Sequence, residues 1–270
     1  MVTSAHVCIA GLGAIGRKLA QDIDAGEIPG LTLGAVSAKD KEKASAFVAT
    51  LKTRVPIVEL TELADYGDIV IECAPAELLA SIAEAVLKQG KHLVVLSAGA
   101  LLSNLTLIDM ARETGGVIHV PTGALLGMDA VQAAAEGEVH AVRMVTRKPP
   151  AGLVGAPYLI EHGINVENVT EPLRVFSGTA REAAKGFPAN LNVAVTLSLA
   201  GVGPDETLLE IWADPTVTRN THQIEVDSDS ARLTMTIENI PSANPKTGLI
   251  TAHSVIALLR KMTSSLRVGT

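Results

Sequence analysis

Two stretches carry residue types whose spacing could do chemistry. GLGAIG places glycines at 11, 13 and 16, directly after the apolar run HVCIA and directly before RKLAQDI. A glycine turn of this kind, between a strand and a helix, lets backbone approach a pyrophosphate. Gly11 permits the tight turn, Gly13 the close approach, and Gly16 the packing of helix on strand. The helix start that follows, at Ala14 and Ile15, offers backbone N–H groups and a favourable dipole to the anion. The second stretch is DPTVTRNTHQIEV, residues 214–226, which gathers Arg219, Asn220, Thr221 and His222 between an Asp-Pro turn and an alternating run. Histidine suits proton transfer because its pKa lies near neutrality. Arginine can grip a carboxylate through two parallel hydrogen bonds. Alone, a histidine beside a strand is more often exposed or satisfied by a backbone carbonyl.

The elements that must position these residues fall into two patterns. Through about residue 125, apolar strand runs alternate with helical spacing: HVCIA, LTLGAVSA (31–38), DIVIECAP (68–75), HLVVLSAGA and VIHVPTGAL (117–125) are the strands. Short β-α repetition predicts an open parallel sheet with right-handed crossovers. Beyond residue 126 come a long alternating strand, EVHAVRMVTRKPP, and a turn-rich stretch. A helical segment interrupted at Pro188 follows, then ETLLEIWADP, HQIEVDSDS and ARLTMTIENIP, which read as antiparallel strands with exposed polar faces. The fold class is α/β: a Rossmann-type dinucleotide-binding domain over 1–125, and an α+β open-sheet substrate and dimerisation domain over 126–245. A C-terminal helix in 246–270 packs back on the first domain.

Composition narrows the function. Hydrophobic residues make up 47% of the 270, yet only six are aromatic, so the core must be aliphatic, as a helix-flanked parallel sheet requires. The net charge is −7, with no basic run to track a phosphate backbone, which argues against nucleic acid. Cys8 and Cys73 lie in apolar strand runs without histidine neighbours and read as reduced, buried thiols rather than a disulfide or metal site. No apolar run reaches membrane-spanning length, and the first residues lack a positively charged leader region; the expectation is a cytoplasmic protein with no membrane association.

At the end of the second strand, AVSAKDK puts Ser37, Ala38 and Lys39 where a carboxylate for the adenosine ribose would stand. A 2′-phosphate would be tolerated there, so NAD or NADP is expected as the cofactor. Two more strand ends carry small residues, Ala74 and Pro75 in CAP and Ala98 in SAGA. Both let the nicotinamide half approach the backbone.

GLGAIG, SAGAL with PTGALLGMDA (121–130), KGFPANLNVAV (185–195), DPTVTRNTHQIEV and NPKTGLITAHSVIALL (244–259) together resemble the L-aspartate dehydrogenase family, in order and over essentially the whole chain. The resemblance implies oxidation of L-aspartate to iminoaspartate with reduction of NAD or NADP. The imine then hydrolyses to oxaloacetate and ammonia or enters pyridine-nucleotide biosynthesis. It also implies that His222 is catalytic and that Ala124 and one asparagine of FPANLN contact the cofactor. Asn190 and Asn192 compete for that role, and spacing to Ala124 favours Asn190.

Such a substrate needs a base for the amine proton and partners for two carboxylates. Candidates for the carboxylates are Lys185, Asn192, Arg219, Asn220, Thr221 and the loop bearing Lys246 and Thr247. Lys185 and Lys246 read equally as solvated helix ends, and Thr247 as a helix cap. A metal is not required. Other dehydrogenases of similar architecture are the rival enzymes: homoserine dehydrogenase chains are longer, and dihydrodipicolinate reductase carries a paired-histidine signature absent here. A dinucleotide sensor is the non-enzyme alternative. A homodimer through the open sheet is expected, since an uncovered apolar face would otherwise meet water.

Overall fold

The computed structural model describes residues 4–188, 191–240 and 248–270. Asn190, Lys246 and Thr247 therefore lie outside the described residues. The chain forms two compact units, Met1–Pro121 with Ala252–Val268, and Thr122–Thr251 with Gly269–Thr270. Ala124, at the end of the first domain by sequence pattern, belongs to the second unit.

The first unit runs β1 (Ala5–Ala10), α1 (Ala14–Ala25), β2 (Leu31–Ser37), α2 (Lys41–Val48), α3 (Leu63–Tyr66), β3 (Ile69–Glu72), α4 (Leu79–Leu87), β4 (His92–Val95), α5 (Ala98–Leu101), α6 (Thr106–Thr114) and β5 (Val117–His119). Its five strands are all parallel in the order β2-β1-β3-β4-β5. The strands are buried on both faces, which is why they read as continuous apolar runs: Val7 and Ile9 feed one helix-covered core, Cys8 and Ala10 the other. Beside the outer edge of β2, Val36 donates its N–H to the Pro56 carbonyl at 3.0 Å and Val58 donates to the Val36 carbonyl at 2.9 Å. This single parallel bridge stands where a dinucleotide-binding sheet has its third strand. Pro56 has no N–H to extend the ladder, so the strand stays a stub.

The second unit runs α7 (Met128–Ala135), β6 (Val139–Lys148), α8 (Pro157–Glu161), β7 (Leu173–Thr179), α9 (Ala180–Gly186), α10 (Asn192–Ala200), β8 (Thr207–Ala213), β9 (Asn220–Ser228) and β10 (Arg232–Asn239). Its sheet has the order β10-β9-β6-β8-β7. The antiparallel expectation fails for one pair, because β6 and β8 are parallel and joined by the helical crossover that the intervening segment supplies. The strand β7 was hidden inside the turn-rich stretch: a register shift between Arg174 and Phe176 buries Val175 and Phe176 in succession and erases the alternation.

Residues 142, 144 and 146 on β6, 209, 211 and 213 on β8, and 222, 224 and 226 on β9 are buried on one face. The opposite face is not the apolar surface that the dimer argument assumed. It carries Arg147 over the Trp212 ring at 4.9 Å and paired with Asp214 at 3.0 Å, Arg174 paired with Glu210 at 3.0 Å, and Gln223 bonded to Glu225. After the second unit the chain returns in α11 (Ile250–Thr263), whose Val255 and Leu259 are fully buried in the same core as Val7, Ile9 and Leu19.

Candidate functional site

In the first unit the candidate residues gather at the C-terminal ends of neighbouring parallel strands. Ala10 pairs with Glu72 and Glu72 with Val95, so Gly11, Cys73 and Leu96 begin three adjacent loops. The three glycines have separate reasons. Gly11 has φ +105°, and a Cβ there would lie 2.5 Å from the Cys73 carbonyl oxygen. A Cβ on Gly16 would run into the carbonyl oxygen of Gly11. One on Gly13, the exposed N-cap of α1, would meet nothing within 4 Å. Strand packing thus demands glycine at 11 and 16, whereas at 13 it leaves open space in front of a helix N-terminus. That is the cradle a pyrophosphate needs.

The loops around this cradle are tied by a carboxylate that sequence reasoning missed. Glu72 is fully buried at the end of β3; its Oε2 accepts the backbone N–H of Leu96 at 3.1 Å and of Ser97 at 2.8 Å, while its Oε1 accepts the Ser97 hydroxyl at 3.0 Å. Burial pushes its pKa above the usual carboxylate range despite these donors. A lone acid inside the apolar run DIVIECAP was the available signal.

Of the other candidates here, Ala74 and Pro75 are accessible at the loop after β3, whereas Ser37 and Ala98 are buried and turn no side chain outward. Ser37 instead serves the turn, its carbonyl accepting the N–H of Gly11 at 2.8 Å. No carboxylate stands free at this strand end, because Asp40 caps α2 by accepting the Lys43 N–H at 3.0 Å.

In the second unit, His222 is buried on the inner face of β9, directly opposite Thr146 of β6. Its Nδ1 lies 3.1 Å from the Thr146 hydroxyl. Burial, and secondarily the charge of Lys148, lower its pKa to about 3, so the ring is neutral at physiological pH. If Nδ1–H donates to the Thr146 oxygen, Nε2 is left with a lone pair, the tautomer a base requires. The pleat separates residues that sequence adjacency had grouped. Asn220 shares the parity of His222 and pairs with buried Asn239, but Thr221 pairs with Arg147 and points to the charged face. Arg219 is exposed on the turn before β9, Lys185 is exposed in the last turn of α9, and Asn192 is exposed at the start of α10.

Asn239 holds a second candidate in place: its Nδ2 donates to the carbonyl of Ala124 at 3.0 Å, and its buried Oδ1 has no partner among the described residues. Sequence reasoning also missed Lys148, a buried lysine at the end of β6 on the face of His222. Among the described residues, no cluster of His, Cys, Asp or Glu could hold a metal ion, and no helix is long and apolar enough to cross a membrane.

The two units have separate relatives. Residues 11–121 match the family described as homoserine dehydrogenase, NAD binding domain, and residues 129–262 match aspartate dehydrogenase, C-terminal. The L-aspartate dehydrogenase of Bradyrhizobium diazoefficiens is 60% identical, across 98% of this chain and 94% of its own length. L-aspartate dehydrogenase 3 of Bordetella bronchiseptica is 59% identical, across 98% and 97%. The crystal structure of aspartate dehydrogenase from Thermotoga maritima aligns over 98% of this chain and 99% of its own, with a TM-score of 0.75 at 25% identity.

Proposed function

The chain belongs to the L-aspartate dehydrogenase family, and we propose that it oxidises L-aspartate to iminoaspartate with NAD or NADP. The observation that carries this reading is the buried His222, with its Nδ1 3.1 Å from the Thr146 hydroxyl on the inner face of the second unit's sheet. When bound, the nicotinamide dinucleotide supplies the acceptor for the hydride that leaves the α-carbon. His222 takes a proton from the substrate amine through Nε2, and the electron pair of that N–H bond becomes the second bond of C=N. Thr146 keeps the ring in the tautomer that leaves Nε2 free. Water then converts the imine to oxaloacetate and ammonia, unless a downstream enzyme of pyridine-nucleotide biosynthesis takes it first.

Gly11, Gly13, Gly16 and the N–H groups of Ala14 and Ile15 hold the pyrophosphate in this reading. Ala74 and Pro75 border the nicotinamide half, and Ala124 and one of Asn190 and Asn192 are the further cofactor contacts that the family resemblance implies. The absence of a free carboxylate at the end of β2 supports use of both NAD and NADP, and Ser37 contributes through its backbone rather than its hydroxyl. Asn220, on the face of His222, is the substrate ligand best supported within the RNTH stretch. Arg219, Lys185 and Asn192 are secondary candidates for the carboxylates, and Thr221, turned to the face opposite His222, is the least supported.

Initial rates with L-aspartate, homoserine and malate, each with NAD and NADP, test the reading. Turnover of L-aspartate with both cofactors is expected. Preference for homoserine would transfer the chain's activity to the rival dehydrogenase, and dinucleotide binding without any turnover would make it a sensor. The free thiols of Cys8 and Cys73 support a reducing, cytoplasmic setting. A homodimer is also part of this reading, and sedimentation velocity tests it.

A further inference from the structure

Arg17 stands in the first turn of α1, directly after the third glycine of GLGAIG. It is half-buried, and two contacts fix its guanidinium. Its Nε donates to the carbonyl of Leu12 at 3.0 Å, and the guanidinium carbon lies 5.0 Å from the centre of the Phe47 ring. Leu12 follows Gly11, whose N–H is bonded to the carbonyl of Ser37, the last residue of β2. Phe47 is buried in α2, the next helix after that strand. The guanidinium is thus held between the glycine turn and α2, beside the exit of β2. In a sheet of this kind the adenosine ribose of a bound dinucleotide rests at that exit.

Of the cations on α1 and along residues 39–43, three are already paired: Lys18 with Asp22 at 2.5 Å, Lys41 with Glu59 at 2.9 Å and Lys43 with Asp40 at 3.0 Å. Arg17 and Lys39 have no carboxylate partner among the described residues. Lys39 is exposed and held by nothing that fixes its direction. Arg17 is different. With one face on Phe47 and Nε on Leu12, its two terminal nitrogens are the part of the fork left over. A planar fork presented in this way matches a phosphate, and holding it in advance lowers the entropy lost on binding. The carboxylate that would bond a ribose hydroxyl, and would repel a phosphate, is absent: Ser37 is buried, and Asp40 caps α2.

We propose that Arg17 is the residue that takes the 2′-phosphate of NADP, with its terminal nitrogens as the donors. The proposal rests on the dinucleotide reading and goes beyond it. Tolerance of a phosphate at AVSAKDK becomes recognition by a cation on α1, fixed before the cofactor arrives. The lysine at the strand end, Lys39, adds only a mobile charge. NAD lacks the group that this cation meets, so Arg17 separates the two cofactors by what it adds for one of them.

The test measures binding without turnover, by calorimetry on the whole chain, with two fragments that differ only in the 2′-phosphate: adenosine 2′,5′-bisphosphate and 5′-AMP. The wild type is expected to bind the bisphosphate more tightly. Arg17→Gln should weaken the bisphosphate about tenfold, the loss of one charge-assisted hydrogen bond in a half-exposed place, and should hold 5′-AMP within about twofold. Arg17→Lys, which keeps the charge and loses the fork, should fall between the two. Lys39→Gln should weaken the bisphosphate by less than Arg17→Gln does. In initial rates, Arg17→Gln should raise the KM for NADP well beyond that for NAD. Equal weakening of both fragments in Arg17→Gln would make the arginine a prop of the glycine turn and overturn the proposal. So would an unchanged bisphosphate affinity, or a larger loss in Lys39→Gln. Should Arg17→Gln fail to fold, an Arg17→Lys protein that binds both fragments as the wild type does overturns it instead. A wild type that binds the two fragments equally refutes the proposal and leaves the dinucleotide reading standing; one that binds neither sinks both.

Discussion

Replacing Glu72 probes how the nucleotide end is held together. In Glu72→Leu the two backbone donors of Leu96 and Ser97 and the Ser97 hydroxyl lose the buried carboxylate that accepts them, although Leu96 and Ser97 are themselves half-buried. An unsatisfied buried donor costs about 1–3 kcal/mol, so three half-buried donors together cost roughly 3 kcal/mol, less whatever is regained by no longer burying a carboxylate. Glu72→Gln is gentler. Its amide oxygen can take the position of Oε2 and accept both N–H groups, and the Ser97 hydroxyl can rotate to accept from the amide nitrogen. Only the charge assistance is lost, about 1–2 kcal/mol. Because the carboxylate ties the strand end before Cys73 to the loop after β4, both variants should weaken dinucleotide binding while leaving the KM for L-aspartate nearly unchanged. Urea unfolding followed by circular dichroism gives the stability difference, and quenching of NADH fluorescence gives the cofactor affinity. A Glu72→Leu protein within about 1 kcal/mol of the wild type, or one with normal NADH affinity, would refute the account of Glu72 as the tie between these loops.

His222→Ala should fold, bind NADH normally and lose roughly 10²–10⁴ in turnover, the usual loss for a positioned acid-base group; near-normal kcat would show that the base lies elsewhere. Thr146→Val removes the partner of Nδ1 and should lower kcat about tenfold or more with little change in either KM, as measured by initial rates. Gly16→Ala drives a methyl into the Gly11 carbonyl and should abolish dinucleotide affinity or folding, whereas Gly13→Ala should fold with an unchanged Tm and bind NADH less tightly. Acid should destabilise the protein through two histidines: burial, with Lys148, holds His222 near 3, and burial, with His92, holds His119 near 4. Both lie below the unfolded value of about 6.5, so the unfolded chain binds more protons and stability falls as the pH drops from about 6.5 towards 4. The slope is about 1.4 kcal/mol per histidine per pH unit, and urea midpoints at pH 7 and pH 5 measure it.

What could be read from the sequence was what backbone sterics and strand period write into it. GLGAIG was legible because two of its glycines answer to close backbone approach and the third to open space. The parallel strands were legible because burial on both faces makes them apolar throughout. The RNTH stretch was only half legible: adjacency put Thr221 beside His222, but a strand's period of two turns them to opposite faces. Lys148 went unnoticed at the end of VRMVTRKPP, though continuing the inward series 142, 144, 146 by one step would have reached it. Strand β7 was lost because its bulge breaks the alternation on which a strand reading depends. The exposed polar faces of the second sheet's strands were legible from their alternation, whereas the uncovered apolar face on which the dimer expectation leaned is not there: Arg147, Arg174 and Glu210 occupy that surface once the strands are paired.

The return of α11 has a consequence for how the protein is made. Val255 and Leu259 complete the core that Val7, Ile9 and Leu19 begin, so one hydrophobic core is assembled from the two extremes of the chain. At about 5–20 residues per second on the ribosome, some 250 residues separate the emergence of β1 from that of the helix that seals it. For roughly 12–50 s, the nascent first unit presents an open apolar groove while the second unit is still being synthesised. The second unit, whose core draws on residues 125–226 with Leu233 and Met235 packed against it, has no such dependence. It can close first, although it is encoded later. Truncation before residue 252 should therefore damage the dinucleotide end and spare the sheet that carries His222.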